Sequence, residues 1–104
     1  MEAQVEVEAL RRVSRTAFGH THRLELMLAI AEISDGVCTL RDLADRLGVR
    51  PSSIQRPFDS LVELSLLSTL PGGDTKFRHY IRNDGPAWAW ARELADGVEL
   101  TGAA

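Results

Sequence analysis

Two short runs of basic residues stand out in the sequence. Residues 9–24 contain four arginines and no carboxylate, and residues 75–82 contain Lys76, Arg78 and Arg82, again without a carboxylate. Such runs can bind the phosphates of a nucleic acid, although charged residues on an edge strand also keep it from aggregating. The whole chain has a net charge of −3, so a phosphate-binding surface must be local.

Two histidines and one cysteine are the other residues whose types suggest chemistry. His20 and His22 have the spacing of two metal ligands, but the adjoining Arg23 disfavours a cation, and we expect His22 to serve as a loop or helix-capping residue. Cys38 matches no zinc, iron–sulfur or thioredoxin-like spacing, and we expect a small, half-buried residue. A redox sensor would need a thiol with a lowered pKa.

No catalytic constellation is recognisable in the sequence. A nucleophile with its base and acid, a nucleotide-binding loop and a paired acid motif are all missing. The sequence therefore predicts neither an enzyme nor a metal site nor a cofactor, and it identifies no small-molecule inducer.

The length and composition favour one soluble domain. The chain has 104 residues, of which 44% are hydrophobic and 26% charged, as in an ordinary globular protein. Its longest apolar run, residues 26–31, is too short to cross a membrane. The acidic start of the sequence is unlike a signal peptide, so we expect a single domain over residues 1–104 in the cytoplasm.

Residues 39–62 have the pattern of two helices separated by a short turn. Thr39 is a good N-cap for the first helix, and Gly48 is a good C-cap. Pro51 suits the first position of the second helix. The apolar stripe of that helix is Ile54, Phe58, Leu61 and Val62. Two helices joined by a short, glycine-containing turn predict a helix-turn-helix.

The flanking segments complete a fold. Apolar periodicity predicts a helix before Gly19 and a central one from Leu24, and Asp35–Gly36 is a turn signal. Two strands around a Pro-Gly-Gly-Asp turn predict a hairpin, or wing, and a last helix ends at Gly97. The predicted class is mainly α with a small β-hairpin, a winged helix-turn-helix of order α-α-α-α-β-β-α. The ranges outside the helix-turn-helix are 2–17, 66–70, 75–82 and 87–96.

Residues 16–83 resemble the ArsR-like winged helix-turn-helix repressors of bacteria. The resemblance implies a homodimeric transcriptional regulator. The metal-sensing variant of that family has cysteines at positions matching Thr39 and Arg41, so the resemblance does not extend to a metal site. The similar segments are residues 19–28, 39–49, 51–67 and 72–82.

The outward face of the second helix of this motif predicts how DNA is bound. Arg56 lies opposite the apolar stripe and is assigned to a guanine in the major groove, whereas Lys76 of the wing is assigned to a phosphate. We expect a repressor that binds an inverted-repeat operator as a homodimer. Asp59 and Glu63 on the same face keep open an alternative, a winged-helix module that docks a protein and does not bind DNA. The predicted DNA-binding residues are Arg50, Ser52, Ser53, Gln55, Arg56, Lys76 and Arg78.

Surplus apolar residues in the first and last helices predict the dimer interface. Trp88 and Trp90 are two positions apart, about 200° around a helix, so one surface cannot bury both. We expect both helices to pair with those of a second copy. The predicted interface residues are Val7, Leu10, Trp88, Trp90 and Leu94.

Two residues predict local strain, one inside the second helix of the helix-turn-helix and one directly after it. Pro57 lies inside the helix and removes a hydrogen bond, which costs about 3 kcal/mol in a straight helix, so we expect a kink. Ser65 stands where the ArsR-like repressors that this chain resembles often have glycine after the second helix, so a left-handed backbone there would carry modest strain.

Overall fold

The computed structural model describes residues 2–71 and 78–102, and the side chains of residues 6–71 and 78–98. The described part contains five helices and a small antiparallel sheet of three strands, with the last strand of the chain in the middle. This arrangement confirms the predicted fold class, a winged helix-turn-helix that is mainly α. The elements are α1 (Glu2–Phe18), α2 (Arg23–Glu32), β1 (Val37–Cys38), α3 (Leu40–Leu47), α4 (Pro51–Glu63), β2 (Leu67–Thr69), β3 (Tyr80–Arg82) and α5 (Pro86–Gly102).

The structure contains one strand that the predicted order of elements did not include. Val37 and Cys38 form β1, which pairs with Ile81 and Tyr80 of β3, so the order is α-α-β-α-α-β-β-α. A strand of two residues has no periodicity, and its partner is more than forty positions away along the chain. The predicted end of the last helix is also wrong, because α5 continues through Gly97. Within the described residues, no helix is long and apolar enough to cross a membrane.

The ends of α3 follow the sequence prediction. The Thr39 hydroxyl accepts a hydrogen bond from the Asp42 backbone N–H at 3.1 Å. Gly48 has a φ of 68° and ends the helix in the left-handed conformation. These two caps fix the length of α3 and hence the point where the chain turns into α4.

The core is built around α2. Leu24, Leu26 and Ile30 of this helix are fully buried, and the apolar face of α4 packs against them through Ile54 and Phe58. The Phe58 ring meets the Tyr80 ring of β3 edge-on, with a centroid distance of 4.8 Å. The wing and the helix-turn-helix therefore share one core, which fixes their relative position.

The C-terminal end of α2 has guanidinium groups in place of a glycine cap. Nη1 of Arg82 donates to the carbonyl oxygens of Ile30 and Ile33, both at 2.7 Å, and lies 3.3 Å from that of Ala31. The last carbonyls of a helix have no partner within it, and a cation there also complements the helix dipole. Arg82, which the sequence grouped with the basic residues of the wing, is thus used inside the fold.

Two further arginines reach the same helix end. Arg92 of α5 donates to the Ala31 carbonyl at 3.1 Å, and Arg46 of α3 donates to the Ala29 carbonyl at 3.3 Å. We call Arg46, Arg82 and Arg92 the arginine clamp. The clamp connects three separate elements to α2.

Candidate nucleic-acid interface

Helix α4 presents one apolar and one polar face. Ile54, Pro57, Phe58 and Leu61 are buried, so the opposite face points away from the protein. The exposed residues at the start of α4 and along its outward face are Arg50, Ser52, Ser53, Gln55, Arg56 and Asp59. All five residues predicted there to bind DNA therefore lie at the surface. Their contact with DNA stays a prediction.

The outward face of α4 contains an internal hydrogen bond. Nε2 of Gln55 donates to Oδ1 of Asp59 at 2.8 Å, one helical turn away. The bond orients the Gln55 amide and leaves its carbonyl oxygen free to accept. Serine and glutamine side chains at the first two turns of an exposed helix can hydrogen-bond to the edges of base pairs.

Pro57 lies inside α4 and takes part in the packing. The helix runs from Pro51 to Glu63 without interruption, and the Pro57 ring is buried. The Ser60 hydroxyl donates to the Pro57 carbonyl at 2.7 Å and accepts from Nη2 of Arg23 at 2.5 Å. Arg23 therefore attaches the start of α2 to this half of α4. The kink at Pro57 stays a prediction.

The exit from α4 confirms the sequence reading of Ser65. This residue has a φ of 64°, in the left-handed region that non-glycine residues rarely adopt. Nδ2 of Asn83 donates to the Ser65 carbonyl at 2.7 Å and to the Ser68 hydroxyl at 2.8 Å. These bonds hold the turn that leads from α4 into the wing.

The base of the wing is formed by β2 and β3. The two strands pair antiparallel, with Thr69 opposite Tyr80. Arg78, a predicted DNA-binding residue, is exposed next to β3. Lys76, the predicted phosphate contact, lies outside the described residues.

The loop between α1 and α2 is held by hydrogen bonds that the sequence alone did not indicate. The backbone N–H of His22 donates to Nδ1 of His20 at 3.1 Å. The Ser14 hydroxyl is fully buried, donates to the His20 carbonyl and accepts from the Leu24 backbone N–H at 3.0 Å. Ser14 therefore connects α1 to the start of α2 and fixes the loop between them.

Glu25 of α2 is a carboxylate bonded to this loop, and its partners are already in place. The side chain is buried and accepts from Nε of Arg11 at 2.9 Å. Nδ1 of His22 lies 2.6 Å from the same oxygen. His22 occupies the N-cap position of α2, but its side chain bonds to Glu25 and not to a backbone N–H, so the expected capping role is modified.

The charges around His20 are positive. Burial lowers the pKa of His20, and the neighbouring His22, Arg23 and Arg56 lower that pKa further. The lowered pKa favours the neutral imidazole. In the described part of the chain, no three His, Cys, Asp or Glu residues are grouped closely enough to hold a metal ion.

Cys38 is a buried thiol of β1. Burial raises the pKa of Cys38 to about 11, although the nearby Arg82 acts in the opposite direction. A redox sensor needs a thiolate near neutral pH, so Cys38 lacks the property that this role requires.

The predicted dimer residues divide into two groups. Trp88 is buried within the chain, where its Nε1 donates to the Asn83 carbonyl at 2.7 Å. The two tryptophans lie on different faces of α5. The surface that buries Trp88 is the core of the same chain and not a second copy. Trp90 is 45% exposed and meets the Phe18 ring edge-on at a centroid distance of 5.1 Å. The remaining predicted residues are partly buried: Val7, Leu10 and Leu94.

Comparison with known proteins shows the fold. No protein-family model and no curated protein matches the chain. Among solved structures, wild-type MarR from E. coli in its apo form is 18% identical over 90% of this chain and 70% of that one, with a TM-score of 0.66. The M. tuberculosis transcriptional regulator MOSR in complex with DNA is 25% identical over 99% of this chain and 77% of that one, with a TM-score of 0.61.

The fold is that of the winged helix-turn-helix regulators. A mutant MarR in complex with operator DNA also matches, at 17% identity over 92% of this chain and 66% of that one, with a TM-score of 0.60. The matched structures with a family in their names are MarR-type regulators, so the narrower resemblance to ArsR-like repressors is not confirmed. The winged-helix class that the resemblance implied is confirmed.

Proposed function

We propose that this chain is a transcriptional regulator that binds double-stranded DNA through α4. The observation that carries the proposal is the outward face of that helix, where the side chains of Ser52, Ser53 and Gln55 are exposed on the first turns. A helix held by a short turn after α3 is the element that enters the major groove in helix-turn-helix proteins. Solved neighbours with this fold include a complex of MarR with operator DNA.

The charges on α4 favour insertion of its N-terminal half. Arg50 and Arg56 are exposed around the first turns, whereas the carboxylates of Asp59 and Glu63 lie in the second half. Carboxylates repel phosphates, so the second half should stay farther from the backbone. A locally basic surface of this kind agrees with a net charge of −3, because the compensating carboxylates lie elsewhere.

The surface of the chain favours a homodimer. The long helices α1 and α5 pack against each other, and Trp90 of α5 remains exposed. Pairing these helices across a two-fold axis would present two copies of α4 to an inverted repeat. Such a dimer on an operator acts as a repressor in the cytoplasm by blocking transcription.

A DNA-capture experiment tests the DNA-binding function. Purified protein is mixed with genomic fragments, the retained fragments are sequenced, and the affinity for them is measured between 50 and 200 mM salt. We expect retention of specific fragments and a steep loss of affinity with salt, because phosphate contacts release counterions. The exposed Arg12 of α1 provides a matched control, since Arg12→Ala should change affinity by less than about 2-fold. If no fragment is retained at 50 mM salt, the protein-docking alternative replaces this proposal.

Sedimentation tests the dimer separately. We expect a dimer at micromolar concentration and a weaker one in Trp90→Ala, because this side chain is a large apolar group left in water by the monomer. A wild-type monomer that Trp90→Ala leaves unchanged would contradict the homodimer.

A further inference from the structure

One edge of α4 faces the loop between α1 and α2. Arg23 of α2 donates to the Ser60 hydroxyl at 2.5 Å, so the side of α4 that carries Ser60 is next to this loop. Arg56 is four residues before Ser60 and therefore lies on the same edge, one turn closer to the N-terminus of α4. The lowering of the His20 pKa by Arg56 agrees with this placement.

The two arginines at this edge lack carboxylate partners. We call His20, Arg23 and Arg56 the loop patch. Within the described residues, neither Arg23 nor Arg56 forms an ion pair, and Nε of Arg23 is buried without a hydrogen-bond partner. The Arg23 guanidinium lies 5.8 Å from the centroid of the Phe18 ring, which holds its position without neutralising its charge.

The neighbouring carboxylates are directed elsewhere. Glu25 of α2 is occupied by Arg11 of α1 and by His22 of the loop. On α4, Asp59 accepts from Gln55 on the other side of Arg56, and Glu63 is one turn beyond Ser60. The patch therefore has a local excess of positive charge next to the helix that we propose enters the groove.

We propose that the loop patch binds a backbone phosphate of DNA beside the groove entered by α4, and that His20 takes up a proton when this phosphate binds. The inference rests on the proposed DNA-binding function and extends it to a second element, the loop between α1 and α2. It also reassigns Arg56, which the sequence placed on a guanine, to the backbone.

The sign of the pH dependence follows from the surroundings of His20. In the free protein, burial comes first among the causes that lower the pKa of His20, followed by the neighbouring His22 and the guanidinium groups of Arg23 and Arg56. A phosphate in the patch adds negative charge, which favours the imidazolium ion and raises this pKa in the complex. The proton enters at Nδ1, so the hydrogen bond that this atom accepts from the His22 backbone N–H is given up when the phosphate binds. Between the two pKa values the complex contains one more proton than the free protein, so affinity increases as the pH falls, by at most about tenfold per pH unit.

The experiment uses a fluorescent random-sequence duplex of 24 base pairs, because a phosphate contact requires no particular sequence. Binding anisotropy is measured from pH 5.5 to 8.0 for the wild type and for His20→Gln, with His79→Gln of the wing as the matched histidine control. We expect His20→Gln to lose about 3-fold to 10-fold in affinity at pH 5.5 and less than about 2-fold at pH 8.0. The His79→Gln protein should keep the wild-type pH dependence.

Salt dependence provides a second measurement. The slope of log affinity against log salt should be steeper by about 0.9 at pH 5.5 than at pH 8.0 in the wild type, and this difference should disappear in His20→Gln. In Arg56→Ala the slope should fall by about 0.9 at both pH values, with equal losses on the random duplex and on a captured genomic fragment.

The outcomes separate the role of His20, the loop patch and the DNA-binding function from one another. A pH dependence that is the same in His20→Gln and the wild type overturns the role of His20. If His20→Gln does not fold, Arg56→Ala decides: an unchanged salt slope, or a loss confined to the captured fragment, overturns the patch. If the wild type binds neither DNA at 50 mM salt, the proposed function itself fails, which is a different outcome.

Discussion

The arginine clamp and the outward side of α4 use the same type of residue in opposite ways. In the clamp, Arg82 donates to carbonyl oxygens at the end of α2, so its hydrogen bonds are made within the fold. At α4, Arg50 and Arg56 are exposed and form no ion pair among the described residues. The comparison shows that the number of arginines in a segment does not reveal their use. An arginine is used inside the fold where its guanidinium group can reach the free carbonyl oxygens at the end of a helix.

Removing Arg82 should give the largest effect and tests the clamp half of the comparison. Arg82→Ala leaves the carbonyl oxygens of Ile30 and Ile33 without this donor, and hydrogen bonds from a charged group are worth more than neutral ones. We expect the free energy of unfolding in urea to fall by about 2 to 4 kcal/mol. Arg12→Ala is the matched control and should stay within about 0.5 kcal/mol of the wild type. A loss as small as that of the control would show that the clamp adds no stability.

Removing Arg50 tests the other half of the comparison. This exposed side chain caps nothing, so Arg50→Ala should leave the free energy of unfolding within about 0.5 kcal/mol of the wild type. Affinity for a captured DNA fragment should fall by about 3-fold to 10-fold, and the salt slope should decrease by about 0.9, because one phosphate contact is lost. A protein that is destabilised but binds DNA normally would reverse this assignment.

Replacing Ser65 gives the smallest expected effect and extends the comparison to the backbone. At the end of α2, guanidinium groups donate hydrogen bonds to the free carbonyl oxygens. The exit of α4 instead retains a left-handed serine with a φ of 64°. Glycine adopts this conformation without the steric cost of a Cβ, so Ser65→Gly should increase the free energy of unfolding by about 0.5 to 1 kcal/mol. Thermal unfolding measures the change. A destabilised Ser65→Gly protein would mean that the serine side chain contributes more than its backbone strain costs.

Local signals in the sequence determined most of the fold. The cap at Thr39, the glycine at Gly48 and the proline at Pro51 define the helix-turn-helix, because each acts on backbone groups within a few residues. The same locality explains why the polar face of α4 was predictable, because that face depends only on helical periodicity. The left-handed Ser65 was expected from the resemblance to repressors that often have glycine at this position.

Only the tertiary structure decided the features that join distant segments. Strand β1 exists because Val37 meets Ile81, and Trp88 is buried because the core gives it a surface that helical periodicity cannot show. Likewise, Arg82 of β3 donates its hydrogen bonds to the end of α2, and the charge of Arg56 acts on His20 of the loop between α1 and α2. A guanidinium or imidazole group has the same charge wherever it lies in the sequence. Its role depends on which carbonyl, carboxylate or cation the folded chain places next to it.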